Sequence, residues 1–217
     1  MKRIILFHTV KPMYLSFESR VRESLECEVR IDNMLDTCFA NNLDKNVNRN
    51  RLFMAIKCAE MAEPDLIAVI CSTLSPYIRE IAPFTSVPLI GIDDRLGDVA
   101  FKHGDRVMVL ASAQSAVGPV TGLLTSAAGR LGRVNAVVEA KLDERAFYAM
   151  IKCDMETHDS VMLELAKTVK GFDVIVMAQG SAEHLARPIE SATGLPVVTA
   201  PELCIANIKE IIDGQGE

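Results

Sequence analysis

Apolar and polar positions along the chain follow two rhythms. Short apolar runs without strict alternation occupy 2–7, 65–70, 87–90, 106–110, 173–178 and 196–198. Strands covered on both faces read this way, because neither face has to be polar. Residues 27–31 place Val29 and Ile31 on one face, and 132–139 is a further extended stretch. Between these runs the period is helical. Leu52, Ala55, Ile56, Ala59 and Ala62 recur at spacings of three and four, which predicts a helix over 49–62 that Pro64 stops. Further helices are predicted over 17–25, from Pro76, over 115–128, 143–151 and 155–169, from Ala182 and from Pro201. Asp93 or Asp94 is expected to cap a helix reaching Lys102, and Gly171 to close the one over 155–169. Residues 9–16, with Pro12, read as a loop. Residues 32–50 read as a long loop rich in Asn and Asp, either a lid over a site or a plain surface excursion. Strand and helix in alternation predict an α/β fold with mainly parallel sheets.

The alternation conceals a repeat. Asp65-Leu66-Ile67-Ala68-Val69-Ile70-Cys71-Ser72-Thr73 lines up with Asp173-Val174-Ile175-Val176-Met177-Ala178-Gln179-Gly180-Ser181. Without a gap, Val87-Pro88-Leu89-Ile90 then falls opposite Leu195-Pro196-Val197-Val198. The opening strands correspond as well, 3–9 against 106–112. Repeats of this kind mark duplicated structural units. The expected organisation is two pseudo-symmetric lobes, 1–100 and 101–217, with the C-terminal helix able to pack back on the first. Two such lobes facing each other would gather the carboxyl ends of their strands around one cleft, where loops and helix N-termini converge.

Composition narrows the partners. The chain has 217 residues, enough for one sizeable core or two small lobes, and a net charge of -6. No Lys/Arg block or basic stripe is present, which argues against nucleic acid. No apolar run approaches the roughly 20 residues of a membrane-spanning helix, and 1–7 is too short for a signal peptide, so a cytoplasmic location is expected. The six cysteines lack CxxC spacing and the four histidines form no close sequence array, so neither a disulfide scaffold nor a metal site is expected.

Chemistry concentrates where the matched strands end. His8-Thr9, Cys71-Ser72-Thr73, Ala111-Ser112 and Gln179-Gly180-Ser181 are the four polar patches. A helix start behind a strand offers backbone N–H groups that suit a carboxylate, and Ser72, Thr73, Ser112 and Ser181 add hydroxyls. The same donors could stabilise an enolate-like charge. Cys71 beside such a terminus is expected to have a lowered pKa, and a thiolate can take a proton from carbon or attack an electrophile. The competing reading is a buried cysteine acting as a small hydrophobe. Gln179, at the matching position, has no proton to exchange near neutral pH but can hydrogen-bond a carboxylate. His8 and His184 are the candidates for a second acid–base group, and each also fits a structural or surface role.

At these residues the chain resembles the aspartate/glutamate racemase superfamily, which includes hydantoin racemases, maleate isomerases and arylmalonate decarboxylases. The resemblance covers nearly the whole chain and centres on Val69-Ile70-Cys71-Ser72-Thr73 and Val176-Met177-Ala178-Gln179-Gly180-Ser181. It implies two α/β lobes with the active site between them and no cofactor. In racemases of the family, a cysteine from each lobe acts on opposite faces of the α-carbon. Cys71 falls where the first belongs, and Gln179 replaces the second. Thr73 and Ser181 match hydroxyls that contact a substrate carboxylate, whereas His8 and Thr9 stand where racemases commonly carry an acidic residue and a serine. The resemblance therefore implies a cofactor-independent racemase- or isomerase-like enzyme using Cys71 on a small carboxylate or dicarboxylate, without two-thiol racemisation. The alternatives are a lyase or decarboxylase, although the single cysteine of the family's decarboxylases looks like the second-lobe one, and a non-catalytic protein that binds small acids. Family members often form homodimers.

Overall fold

The computed structural model describes residues 1–10, 14–41 and 44–214. The chain divides into two compact units, Met1–Asp94 with Pro201–Glu217, and Arg95–Ala200. In chain order the elements are β1 (Lys2–His8), α1 (Tyr14–Ser24), β2 (Val29–Leu35), α2 (Lys45–Glu60), β3 (Leu66–Ile70), α3 (Ser75–Ile81), β4 (Leu89–Gly91) and α4 (Leu96–His103). They continue as β5 (Arg106–Ala111), α5 (Gln114–Arg130), β6 (Val137–Leu142), α6 (Glu144–Ile151), α7 (Met155–Lys167), β7 (Val174–Met177), α8 (Ala186–Thr193), β8 (Val197–Val198) and α9 (Ala200–Gly214).

Each unit holds one four-stranded sheet flanked by helices, ordered β2-β1-β3-β4 in the first and β6-β5-β7-β8 in the second. All the strand pairs are parallel. The matched runs of the sequence occupy matched places. Ile67 pairs with Leu89 in the first sheet and Ile175 with Val197 in the second. The reason both runs begin with aspartate is visible at the strand entries. Asp65 takes the Arg3 backbone N–H at 2.7 Å and returns its own N–H to the Arg3 carbonyl at 2.8 Å. Asp173 does the same with Arg106, at 2.9 and 2.8 Å. A carboxylate thus ends each ladder where a strand neighbour would otherwise be missing. All of β3 and β7 is buried, which explains why neither run alternates.

Several local expectations are corrected. β2 continues to Leu35 and a 3-10 turn covers Thr37–Asn41, so 32–50 is mostly regular structure rather than a loop. The middle of the supposed lid, at 42–43, lies outside the described residues, as do Pro12 and its neighbours in the 9–16 loop. Asp44 caps α2 by accepting the N–H groups of Asn46 and Val47. The strand expected over 132–139 starts at Val137, because Gly132 adopts a left-handed φ of 68° in a turn after α5. Neither Asp93 nor Asp94 caps α4, whose N-cap is Arg95. Gly171, also left-handed, follows the end of α7 rather than closing it, since Thr168 and Val169 already fold back on Leu165 and Ala166.

The second unit begins at Arg95, ahead of the expected boundary at 100, and so includes α4, which packs on α5 and beside β7 and β8. The first unit takes up Pro201–Glu217. Cys204 of α9 is buried there, its thiol pushed up by burial and by the charges of Asp94 and Asp93.

Gly97 allows α4 its close approach to α5, because a Cβ at this position would overlap the Ala127 Cβ. Replacing Gly97 by alanine gains up to about 1 kcal/mol of helix propensity but forces apart a packed contact, at roughly 1–3 kcal/mol. Gly122 of α5 has open space around its Cβ position. Urea unfolding should therefore show Gly97→Ala destabilised by about 1 kcal/mol and Gly122→Ala stabilised by about 0.5–1 kcal/mol.

Candidate active site

β3 delivers Cys71 in extended conformation, φ −158° and ψ 112°, as N-cap of a 3-10 turn over Ser72–Leu74. The Leu74 N–H closes this turn on the Cys71 carbonyl at 3.1 Å. The side chain of Thr9, at the end of β1, and the backbone N–H groups of Leu74 and Thr73 favour the thiolate. Burial works against them and is the largest influence, with the nearby Asp93 charge adding to it. The thiol is held above its ordinary value. The lowering expected from the turn's N–H groups exists, but desolvation outweighs it, because Cys71 is half-buried directly behind the fully buried β3.

Asp93, behind β4, is the residue that sequence reasoning misplaced. It is 1% exposed, and its two carboxylate oxygens accept the Ser72 hydroxyl at 3.1 Å and the Ser75 hydroxyl at 2.8 Å. Burial pushes its pKa up to about 6 despite these two donors, and Asp94 adds to the rise. Asp94 itself accepts the Gly91 N–H at 2.8 Å. An acidic pair behind a strand reads as a helix cap in sequence. Only the tertiary placement of Ser72 and Ser75 shows the other use.

His8 ends β1 beside Thr9, but its ring turns into the first unit's interior. Its Nε2 lies 3.0 Å from Asn33 Oδ1, and Asn33 donates its amide to Glu18 at 2.5 Å. Tyr14 and Phe17 meet the ring edge-on. With Nε2–H donated to Asn33, Nδ1 is a bare acceptor, buried and without a partner among the described residues. Burial lowers the pKa of His8, opposed by the Asn33 hydrogen bond and the Glu18 charge. The ring is a neutral imidazole near pH 7.

In the second unit Gln179 repeats the place of Cys71. It is extended, φ −123° and ψ 131°, and is the N-cap of a 3-10 turn over Gly180–Leu185. Its Oε1 accepts the N–H of buried Ser112 at 3.1 Å. Its Nε2 is buried and has no partner among the described residues. Gly180 and Ser181 are half-buried in the turn. His184, further along it, is exposed and bound at Nε2 to Asp159 Oδ1 of α7, 2.8 Å away. The same oxygen meets Nδ1 of buried His158 at 2.7 Å. His158 and His184 are 26 positions apart, and only the packing of α7 against the 180–185 turn joins them.

Thr9, Cys71, Ser72 and Thr73 are thus gathered around one thiol in the first unit, with Asp93 joined to them through Ser72, while Ser112 and Gln179 are joined in the second. Four of the other cysteines, Cys27, Cys38, Cys58 and Cys153, are exposed, and Cys27 lies in a bend before β2 with its thiol 3.8 Å from Asp213 Oδ1. A surface groove of about 370 Å³, lined by Arg49, Asn50, Phe53, Glu80, Ile81 and Phe84, contains none of the predicted site residues. No helix among the described residues is long and apolar enough to cross a membrane.

The family described as Asp/Glu/Hydantoin racemase matches residues 27–207, and the chain belongs to it. Glutamate racemase from Bacillus anthracis superposes with a TM-score of 0.78 at 14% identity, over 99% of this chain and 83% of that one. Allantoin racemase from Klebsiella pneumoniae gives 0.70 at 12% identity, over 99% and 89%. An arylmalonate decarboxylase gives 0.62 at 10% identity, over 100% and 95%. At these identities the likeness is one of fold. No curated protein matches the sequence.

Asp93 yields a pH test. Between its ordinary 3.8 and about 6, the folded chain holds a proton that the unfolded chain has released. Stability is therefore lost as pH rises through that window, by on the order of 3 kcal/mol. Asp93→Asn cannot titrate, so the difference in unfolding free energy between it and the wild type should change by that amount between acid and neutral pH. A constant difference would show that folding leaves the Asp93 pKa unshifted, and a change of opposite sign would show that it is lowered.

Proposed function

We propose that the chain is a cofactor-independent isomerase of the racemase type, which moves a proton at the α-carbon of a small carboxylic acid with Cys71 as the acid–base group. The observation that carries this reading is the place of Cys71 in a chain of this family: half-buried at the end of β3, as N-cap of the 3-10 turn over Ser72–Leu74. A cysteine serving only as a small hydrophobe has no need of a position where the chain turns into free N–H groups. The Thr9 side chain and the Leu74 and Thr73 N–H groups favour the thiolate that a base requires. Thr73 has a hydroxyl suited to a substrate carboxylate, and Gln179 has an unused amide donor of the same kind.

In this mechanism the Cα–H bond breaks, the proton goes to sulfur, and the electron pair spreads into the carboxylate as an enolate. Returning the proton completes the exchange. Gln179, at the position matching Cys71, has no proton to exchange near neutral pH, so proton exchange is expected to outrun inversion. The raised pKa of Cys71 favours a second reading. A group that is a thiol at neutral pH is a ready proton donor. In a lyase or decarboxylase the bond to the departing carbon breaks first, its electron pair stays on Cα, and the Cys71 thiol protonates that carbanion.

Incubation with a panel of small mono- and dicarboxylic acids in deuterated water tests the proposal. The wild type should place deuterium at Cα of at least one acid, or release carbon dioxide from one. Cys71→Ala should be slower by about a hundredfold or more. Turnover undiminished in Cys71→Ala would overturn the role of the thiol.

The pH profile separates the two readings. If Cys71 acts as base, the rate climbs with pH until the thiol's raised pKa is passed. If it acts as acid, the rate is flat at neutral pH and falls beyond that point.

A further inference from the structure

A second group of side chains lies apart from the strand ends. His158 and Asp159 stand near the start of α7, and His184 in the 180–185 turn. Nδ1 of His158 and Nε2 of His184 lie 2.7 and 2.8 Å from one oxygen, Asp159 Oδ1. One ligand atom from each residue falls within 4.8 Å of the other two. The rings are 6.1 Å apart at their centres and tilted by 31°. His158 is fully buried, Asp159 half-buried and His184 exposed, so the group has a protein floor and an open side.

One carboxylate oxygen can accept two N–H groups, so hydrogen bonding explains the two contacts at Asp159 Oδ1. It does not require a buried and an exposed histidine from two elements to converge there, with one ligand atom of each residue within 4.8 Å of the others. His158 Nε2 has no partner among the described residues whether Nδ1 donates to Asp159 or binds an ion, so it favours neither.

The geometry points to a binding site for a divalent transition-metal ion, held by His158 Nδ1, an Asp159 carboxylate oxygen and His184 Nε2. Ligand bonds of about 2.0–2.2 Å to nitrogen and oxygen place neighbouring ligand atoms roughly 3 Å apart. Both nitrogen–oxygen separations are already near that spacing. Two imidazoles and one carboxylate suit zinc, cobalt or nickel, with water in the open positions. Calcium and magnesium, which prefer all-oxygen sets, fit poorly. The ion would replace a shared proton-mediated contact with bonds that pin the 180–185 turn to α7. This inference does not rest on the role of Cys71.

The exposed thiols would compete for a soft metal, so the test uses the full chain with its accessible cysteines alkylated. Cobalt(II) chloride is titrated in, followed by visible absorption and by calorimetry. One equivalent should bind per chain, with a rise in Tm. Loss of a ligand's hydrogen-bond partner alone weakens metal sites about 10–100-fold. Removal of a ligand should do at least as much, so His184→Ala and Asp159→Ala should each weaken binding about tenfold or more. Both residues are accessible to solvent, and far-UV circular dichroism would verify that each variant is folded. Absence of saturable binding, or binding unchanged in either folded variant, would overturn the site.

Discussion

Desolvation at the ends of parallel strands is the constraint on which the rest depends. A strand buried on both faces carries its first polar side chain only where the sheet stops, and that place is still largely withdrawn from water. Polar groups there must find partners inside the unit or be shifted toward their neutral forms. Cys71 does both: Thr9 and the Leu74 and Thr73 N–H groups favour its thiolate, and its pKa is nonetheless raised. Asp93 does both as well, with two serine hydroxyls on a carboxylate pushed up to about 6. In the second unit the same place is filled by a neutral amide, which avoids the charge altogether and is fastened by the Ser112 N–H.

This constraint connects the fold to the chemistry. The paired Asp65 and Asp173 fix how the two sheets begin, and the paired turns after β3 and β7 fix how those strands end. The duplicated frame tolerates a change of side chain at its most chemical position, because Cys71 and Gln179 share a backbone conformation. The units are alike in construction and different in what they can donate or accept.

Much of this was legible in the sequence. The apolar runs, the repeat and its register, and the family followed from the order of residues along the chain, because buried strands and their flanking signals are local. The place of Cys71 at the end of a buried strand was legible in the same way. The state of its thiol was not legible, since the N–H groups that lower its pKa are local and the burial that raises it is tertiary. Asp93 read as a cap because its serine partners lie 18 and 21 positions away. The grouping of His158, Asp159 and His184 left no sequence signal, because it depends on how α7 packs against a turn. β2 was cut short in the sequence reading by its polar residues Asp32 and Asn33, which ladder pairing with Ile5 and Leu6 overrides.

The Cys71 thiol is set by two opposed influences, donors that favour the thiolate and a half-buried, acid-flanked setting that disfavours it. The pH dependence of alkylation at Cys71, followed peptide by peptide by mass spectrometry in wild type and Asp93→Asn, measures that balance directly. The account predicts that Cys71 reacts along a curve displaced to higher pH than that of an exposed cysteine, and that Asp93→Asn moves the curve back toward lower pH. A Cys71 curve displaced to lower pH than the exposed thiols, or one indifferent to Asp93, would contradict it.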